Sequence, residues 1–242
     1  MAHPAGFASH DAFGGEGAAY PVSGVFFLGA SQGGITGGAT MAVAQEFTRG
    51  VMAVGACRYS LLIPRSTGFD SFAPFFADGY EDPVIQSLNL GLAQMLWDRG
   101  EGQGYVQHLT SNPYPGTPPK DILYFEAFGD HQVANVATEA CARSANALLR
   151  EPALAPGRST DRVPFFGLEA APALPYSGSA LVVWDFGGPP PPTENEPPRE
   201  GEDPHGKAGA VPAALLLVSE YLKKDGALIE VCNGDPCQTI ED

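Results

Sequence analysis

The sequence lacks the features that mark several specialised classes of protein. Its 242 residues contain no run of about eighteen apolar side chains, so no membrane-spanning segment is predicted. The first twenty residues have neither a basic start nor an apolar stretch, and no signal peptide is expected there. We interpret residues 1–20 as a polar, flexible lead-in rich in Gly and Ala, and residues 21–242 as a single domain.

Basic residues are few. The chain has 13 Lys and Arg against 28 Asp and Glu, which gives a formal net charge of −15. A surface this negative repels phosphate backbones, so we expect no nucleic-acid partner. Cysteine is also scarce, with four residues. Two of them, Cys57 and Cys141, have apolar neighbours and are interpreted as small core residues.

The other two cysteines, Cys232 and Cys237, flank a turn-forming Asn-Gly-Asp-Pro segment. This spacing allows a disulfide but does not require one. No second Cys or His pair accompanies them, so neither a metal site nor a cofactor is predicted. The compartment stays open, because the absence of an export signal fits the cytoplasm, whereas a disulfide would indicate an oxidising compartment.

Short apolar runs alternate with helical patterns along the chain. The runs predict strands buried on both faces, and they occupy residues 24–28, 51–57, 122–128 and 180–186. The segments with helical character between and after them are residues 35–48, 84–99, 135–150 and 213–224. This alternation predicts an α/β fold with a mostly parallel sheet flanked by helices.

Two segments interrupt the alternation. Residues 58–120 are long, aromatic and punctuated by proline, which indicates a cap-like or lid-like excursion between two strands. Its aromatic residues either line an acyl pocket or pack the cap itself; they are Phe69, Phe72, Phe75, Phe76, Tyr80 and Trp97. Residues 188–204 are too rich in proline and acid for regular structure and are expected to form a surface loop.

The first predicted strand leads directly into Gly29-Ala30-Ser31-Gln32-Gly33, which satisfies the G-x-S-x-G pattern. In that pattern a sharp turn between strand and helix exposes the serine, and the flanking glycines Gly29 and Gly33 avoid side-chain clashes. Ser31 is therefore the predicted nucleophile, and the Gln32 N–H is the predicted donor to an oxyanion. The alternative is a glycine-rich turn in which the serine is incidental.

A nucleophilic serine needs a base, and the base needs an acid that orients it. Asp130 follows the strand predicted at 122–128 and is the candidate acid. His205 follows the strand predicted at 180–186, in the segment Asp-Pro-His-Gly, and is the candidate base. His131, next to Asp130, is a substitute base, although neighbouring strand residues point to opposite faces. Asp130 as a turn residue and His205 as a solvent-facing histidine are the alternatives without a function.

Three segments of the chain, FLGASQGG, ILYFEAFGDHQV and EDPHG, resemble the C-terminal part of the α/β-hydrolase superfamily and of large bacterial hydrolase-like proteins. The resemblance covers about residues 20–225. It implies a Ser–His–acid triad, which maps to Ser31, His205 and Asp130, and an acyl-serine intermediate. The superfamily builds about four strands before the nucleophile strand, whereas only about twenty residues precede that strand here, so either this is a truncated form or another segment substitutes. The second oxyanion donor is therefore unassigned, and an exposed sheet edge invites a homo-oligomer.

These observations predict a carboxylic-ester hydrolase of the esterase or lipase type, acting on a small-molecule ester. The first alternative is a non-catalytic or partner-dependent module with a hydrolase fold and an incomplete oxyanion hole. The second is an acyltransferase or thioesterase, which shares the triad and transfers the acyl group elsewhere.

Overall fold

Residues 24–239 are described by the computed structural model, and they form a parallel sheet flanked by helices. The predicted α/β class is thereby confirmed, while the predicted lead-in at residues 1–20 lies outside the described residues. Each pairing between named strands is parallel. The strands are Phe27–Ala30 (β1), Arg49–Ala53 (β2), Asp121–Ala127 (β3), Leu148–Leu149 (β4), Ala180–Asp185 (β5) and Cys237–Gln238 (β6).

The helices lie between these strands or after them. They are Gln32–Val43 (α1), Tyr59–Leu62 (α2), Ala73–Gly79 (α3), Pro83–Trp97 (α4), Asn135–Ser144 (α5) and Pro212–Tyr221 (α6). Short 3-10 turns accompany them, four of which lie in the excursion at residues 58–120. No helix among residues 24–239 has the length and apolar character needed to cross a membrane.

The sheet has the strand order β1-β2-β3-β5-β4, with β6 also pairing with β5. Alternate residues of the central strands enter two separate cores. Tyr124 packs with Met41 of α1 and Cys141 of α5 on one face, whereas Phe125 packs with Leu217 of α6 on the other. β1 lies at one edge of the sheet, and its Leu28 side chain is 58% exposed.

The helix predicted at residues 135–150 is much shorter than expected. α5 ends at Ser144, whereas its pattern predicts helix as far as residue 150. Asn146 has a φ of 54°, which a helix does not accommodate. The chain then enters β4, where Leu148 and Leu149 pair with Ala180 and Leu181 of β5. Leu148 and Leu149, whose spacing suits a helix, therefore form a short strand instead, and Leu149 is buried there.

A buried acid holds separate segments of the excursion together. The Glu101 carboxylate is fully buried and accepts hydrogen bonds from the backbone N–H groups of Arg58 and Gln103 and from the Gln94 side chain. The loop at residues 188–204 contains no helix or strand, as expected, and its Arg199 forms an ion pair with Asp70 of the excursion. This ion pair therefore connects the excursion to the loop at residues 188–204.

The cysteines divide into two pairs. Cys232 and Cys237 form a disulfide that closes the turn before β6. Cys57 and Cys141 are free thiols, and both are buried in the core that lies between the sheet and helices α1 and α5.

Candidate active site

The turn between β1 and α1 carries Ser31 in a rare backbone conformation. Its φ of 53° and ψ of −122° lie outside the regions that L-residues ordinarily occupy. Such strain persists only where the surrounding structure enforces it, and it concentrates at functional sites. Here the Ser31 N–H donates to the Ala53 carbonyl of β2, and the Ser31 carbonyl accepts from Gly34 and Ile35 of α1. The strand–turn–helix geometry expected from the motif is present.

The close contacts that require glycine in this turn are only partly those expected. A Cβ on Gly29 would overlap the Gly33 carbonyl, so this glycine is required sterically. A Cβ on Gly33 would meet nothing within 4 Å, and the prediction that Gly33 relieves a clash is wrong. Gly34 has that role instead, since its Cβ would lie 2.9 Å from the Cα of Gly55.

Ser31, His205 and Asp130 form a continuous hydrogen-bonded chain. His205 Nε2 lies 2.8 Å from Ser31 Oγ, and His205 Nδ1 lies 2.7 Å from Asp130 Oδ2. Ser31 follows β1, Asp130 follows β3, and His205 lies in the loop that follows β5. Because these strands are parallel, their carboxyl ends meet at one edge of the sheet, where binding sites of α/β folds are found.

The imidazole is partly shielded and has acidic neighbours. The His205 side chain is 12% exposed, and that of Asp130 is 1% exposed. Burial by itself lowers the pKa of His205, but the hydrogen bond and charge of Asp130, together with the charge of Asp203, raise it above its usual value. A histidine in this arrangement can take the serine proton while the aspartate stabilises the resulting imidazolium.

The turn that carries Asp130 is held from several directions. Asp130 Oδ1 accepts the backbone N–H groups of Gln132 and Val133. The buried Asn135 side chain accepts from the Gly129 N–H and donates to the Ala127 carbonyl. These bonds leave Asp130 Oδ2 directed at His205, so the acid is oriented before any substrate binds.

The Gln32 N–H opens helix α1 directly after Ser31. Within the described residues, neither Gln32 nor Gly33 donates its amide to a backbone acceptor. These two N–H groups carry the positive end of the α1 dipole, which favours negative charge beside Ser31. The Gln32 side chain points elsewhere and donates to the hydroxyl of Tyr59 in the excursion, at 2.6 Å.

Among the histidines of residues 24–239, only His205 forms a hydrogen bond to Ser31. The His131 N–H donates to Asp203 and its carbonyl accepts from Thr67, and no hydrogen bond from its ring to Ser31 occurs in the described part of the chain. His108 stacks on Tyr114 within the excursion. His3 and His10 lie outside the described residues.

The excursion aromatics mostly contact one another. Phe69 packs against Phe72 and Phe76, and Phe76 packs against Tyr80. Phe72 and Phe75 are 62% and 77% exposed. Trp97 packs on Tyr59, and the Tyr59 hydroxyl accepts a hydrogen bond from the Gln32 side chain, so Tyr59 connects Trp97 to Gln32. A cavity of about 120 Å³ adjoins Asp130, and Phe128 and Phe165 line it together with Glu139 and Asp161.

Two residues near the site escape motif analysis. Asp203 bonds to both loops that meet at His205, and Tyr59 connects α2 to Gln32. An aspartate two residues before a histidine is a local signal, since aspartate often accepts the N–H two residues later. Tyr59 has no such signal, because it lies 27 residues from its partner.

The described residues contain no group of three or more His, Cys, Asp or Glu side chains arranged to hold a metal ion. Comparison of the chain with family models, curated proteins and solved structures found no match. The site is therefore interpreted from its own geometry.

Proposed function

We propose that this chain hydrolyses carboxylic esters through an acyl-serine intermediate, as a member of the α/β-hydrolase superfamily. The observation that carries the proposal is the chain from Ser31 Oγ through His205 to Asp130, with contacts of 2.8 and 2.7 Å. The strained conformation of Ser31 supports it independently, because nothing in a plain strand–helix turn requires a non-glycine residue at positive φ.

In this mechanism His205 removes the Ser31 proton as the hydroxyl oxygen attacks the ester carbonyl. Asp130 holds the imidazole with Nδ1 protonated and stabilises the imidazolium that forms. The Gln32 N–H at the start of α1 stabilises the negative oxygen of the tetrahedral intermediate. His205 then donates its proton to the leaving alcohol. It next takes a proton from a water molecule as the water oxygen attacks the acyl-serine carbonyl, and it gives this proton to Ser31 Oγ as the carboxylic acid is released.

A second candidate function is that of a non-catalytic binding module, which keeps the Ser31 turn but does not hydrolyse esters. Its support is the position of β1, which pairs only with β2 among residues 24–239. An open edge of this kind is a template for pairing with another chain, including a second copy. In that case the donors supplied by α1 alone would not suffice, since losing one oxyanion donor costs about 10²–10³ in rate.

The test is hydrolysis of p-nitrophenyl acetate, butyrate and palmitate by the wild type, by Ser31→Ala and by Ser144→Ala. Ser144 is the matched control, because its hydroxyl bonds only to the Ala140 carbonyl within α5. We expect the wild type and Ser144→Ala to turn over and Ser31→Ala to fall to background. The preferred ester distinguishes an esterase from a lipase.

Labelling with a fluorophosphonate separates the candidates further. We expect mass spectrometry to find the label on Ser31 of the wild type and none on Ser31→Ala. A folded wild type that is neither labelled nor active would contradict the proposal and favour the non-catalytic module. Transfer of the acyl group to an added alcohol or thiol in preference to water would favour a transferase.

A further inference from the structure

The loop of His205 and the turn of Asp130 are joined by a second aspartate. Asp203 Oδ1 accepts the N–H of His205 at 3.0 Å and the N–H of His131 at 3.2 Å. Asp203 Oδ2 accepts the side-chain amide of Gln132 at 2.8 Å. One carboxylate therefore bonds both to its own loop and to a turn that lies 72 residues away in sequence.

The two aspartates contact each other's loops reciprocally. Asp130, in the turn after β3, forms a hydrogen bond with the ring of His205 in the loop after β5. Asp203, in the loop of His205, accepts hydrogen bonds from His131 and Gln132 in the turn of Asp130. Between them they accept the three consecutive backbone amides of His131, Gln132 and Val133. The position of one loop is thus fixed by the other.

The far side of the Asp130 turn is also held. Thr67 donates its N–H and hydroxyl to the His131 carbonyl, and the Ser66 hydroxyl donates to the Gln132 carbonyl at 2.6 Å. The turn is therefore the fixed partner. The His205 loop, which arrives after a proline-rich stretch without helix or strand, is the element that needs holding.

The charge of Asp203 is maintained in the folded protein. Burial favours its neutral form, but the hydrogen bonds from Gln132, His205 and His131 outweigh burial and lower the pKa of Asp203. Its negative charge in turn adds to that of Asp130 in favouring protonated His205. Asp203 therefore acts on the imidazole both through the backbone and through the electric field.

We propose that Asp203 is a positioning residue that holds the His205 loop in register with Asp130 and Ser31. Its consequence for catalysis rests on the proposed function. Two variants separate the effect of its charge from the effect of its hydrogen bonds. Asp203→Asn keeps an oxygen for the His205 and His131 amides, and rotation of the Gln132 amide restores the third bond, so only the charge is lost. Asp203→Ala removes the charge and all three bonds.

The first measurement is proton and nitrogen NMR of the histidine rings across pH, with Glu202→Gln as the control. Glu202 is the neighbouring carboxylate, and its side chain is 77% exposed. We expect the wild type and Glu202→Gln to share one His205 titration and a downfield Nδ1 proton. In Asp203→Asn the proton signal should persist while the His205 pKa falls. In Asp203→Ala both should change, with loss of the downfield signal.

The second measurement is the pH profile of ester hydrolysis by the same variants. We expect kcat of Asp203→Ala to fall by about 10²-fold, the scale of a misplaced catalytic group, with KM nearly unchanged. Asp203→Asn should retain activity, with its acid limb moved to lower pH. Glu202→Gln should match the wild type.

The two proposals fail in distinguishable ways. The NMR signals require no substrate, so an inert wild type with the expected titrations would contradict the esterase and leave the positioning role of Asp203 standing. An active wild type whose Asp203→Ala variant has the same His205 titration, downfield signal and kcat would overturn the positioning role alone.

Discussion

Glu126 is a buried acid whose removal should stabilise the protein, increasingly so as pH rises. It lies on the central strand β3 and is 1% exposed, and neither carboxyl oxygen has a hydrogen-bond partner. Burial, followed by the negative charges of Glu139, Asp130 and Asp161, raises its pKa well above the usual value. The folded chain therefore keeps a proton on Glu126 at pH values where the unfolded chain has lost it.

The size of the effect follows from proton linkage. An unfolded glutamate loses its proton near about pH 4.3. Above that pH, and up to the folded pKa, the folded state binds one more proton, so stability falls by about 1.4 kcal/mol for each pH unit. Glu126→Met has a side chain of similar length that does not titrate. Relative to the wild type, the variant should therefore gain stability as pH rises from 5.5 to 7.5, by at most about 1.4 kcal/mol for each pH unit.

The assay is urea unfolding at pH 5.5, 6.5 and 7.5, with the free energy of unfolding obtained at each pH. Glu194→Gln, in the exposed loop at residues 188–204, is the control and should run parallel to the wild type. Glu139, whose pKa is raised to about 7, adds a slope of its own to every chain, and the control variant shows that slope with Glu126 in place. A stability difference between Glu126→Met and the wild type that stays constant with pH would refute a protonated Glu126.

Two further predictions concern the Ser31 turn and the disulfide. Gly29→Ala should destabilise the fold by about 1–3 kcal/mol through overlap with the Gly33 carbonyl, whereas Gly33→Ala should be tolerated; equal melting temperatures for the two would contradict this. Reduction of the Cys232–Cys237 disulfide should cost about 2 kcal/mol, the loop-closure value for a separation of five residues, and a Cys232→Ser/Cys237→Ser variant should show the same loss while becoming insensitive to reductant.

The parallel sheet and the convergence of Ser31, Asp130 and His205 were predictable because each depends on a local pattern. Apolar runs mark β1, β2, β3 and β5, and the topology of parallel strands brings their carboxyl ends together whatever the intervening lengths. Ser31 and His205 are 174 residues apart and still meet, since both follow strands of one sheet. Its position after the strand predicted at 180–186 selected His205, and the rule that neighbouring strand residues point to opposite faces argued against His131.

Features that depend on specific tertiary contacts were not predictable in this way. The need for glycine at position 34 comes from the approach of Gly55, which no local spacing encodes. The early end of α5 reflects competition between a helix and pairing with β5, and buried sheet contacts prevailed over helical periodicity. Glu126 lies within an apolar run that predicts a strand, yet the acids that raise its pKa come from elsewhere in the chain, among them Glu139 of α5 and Asp161.

The least determined part of the proposed mechanism is the second oxyanion donor, and the structure narrows its source. The Ser31 N–H donates to the Ala53 carbonyl, and the Val54 N–H, directly after β2, donates to the Phe125 carbonyl. Neither amide is therefore available to an oxyanion. Within α1, the Gly34 N–H is bound to Ser31. The candidates that these bonds leave include the Gly33 N–H and donors that approach from the excursion or from beyond the open edge of β1. Gly33→Ala leaves the Gly33 N–H in place, and its added Cβ would meet nothing within 4 Å, so this variant should keep the rate of the wild type whichever of these groups is the donor.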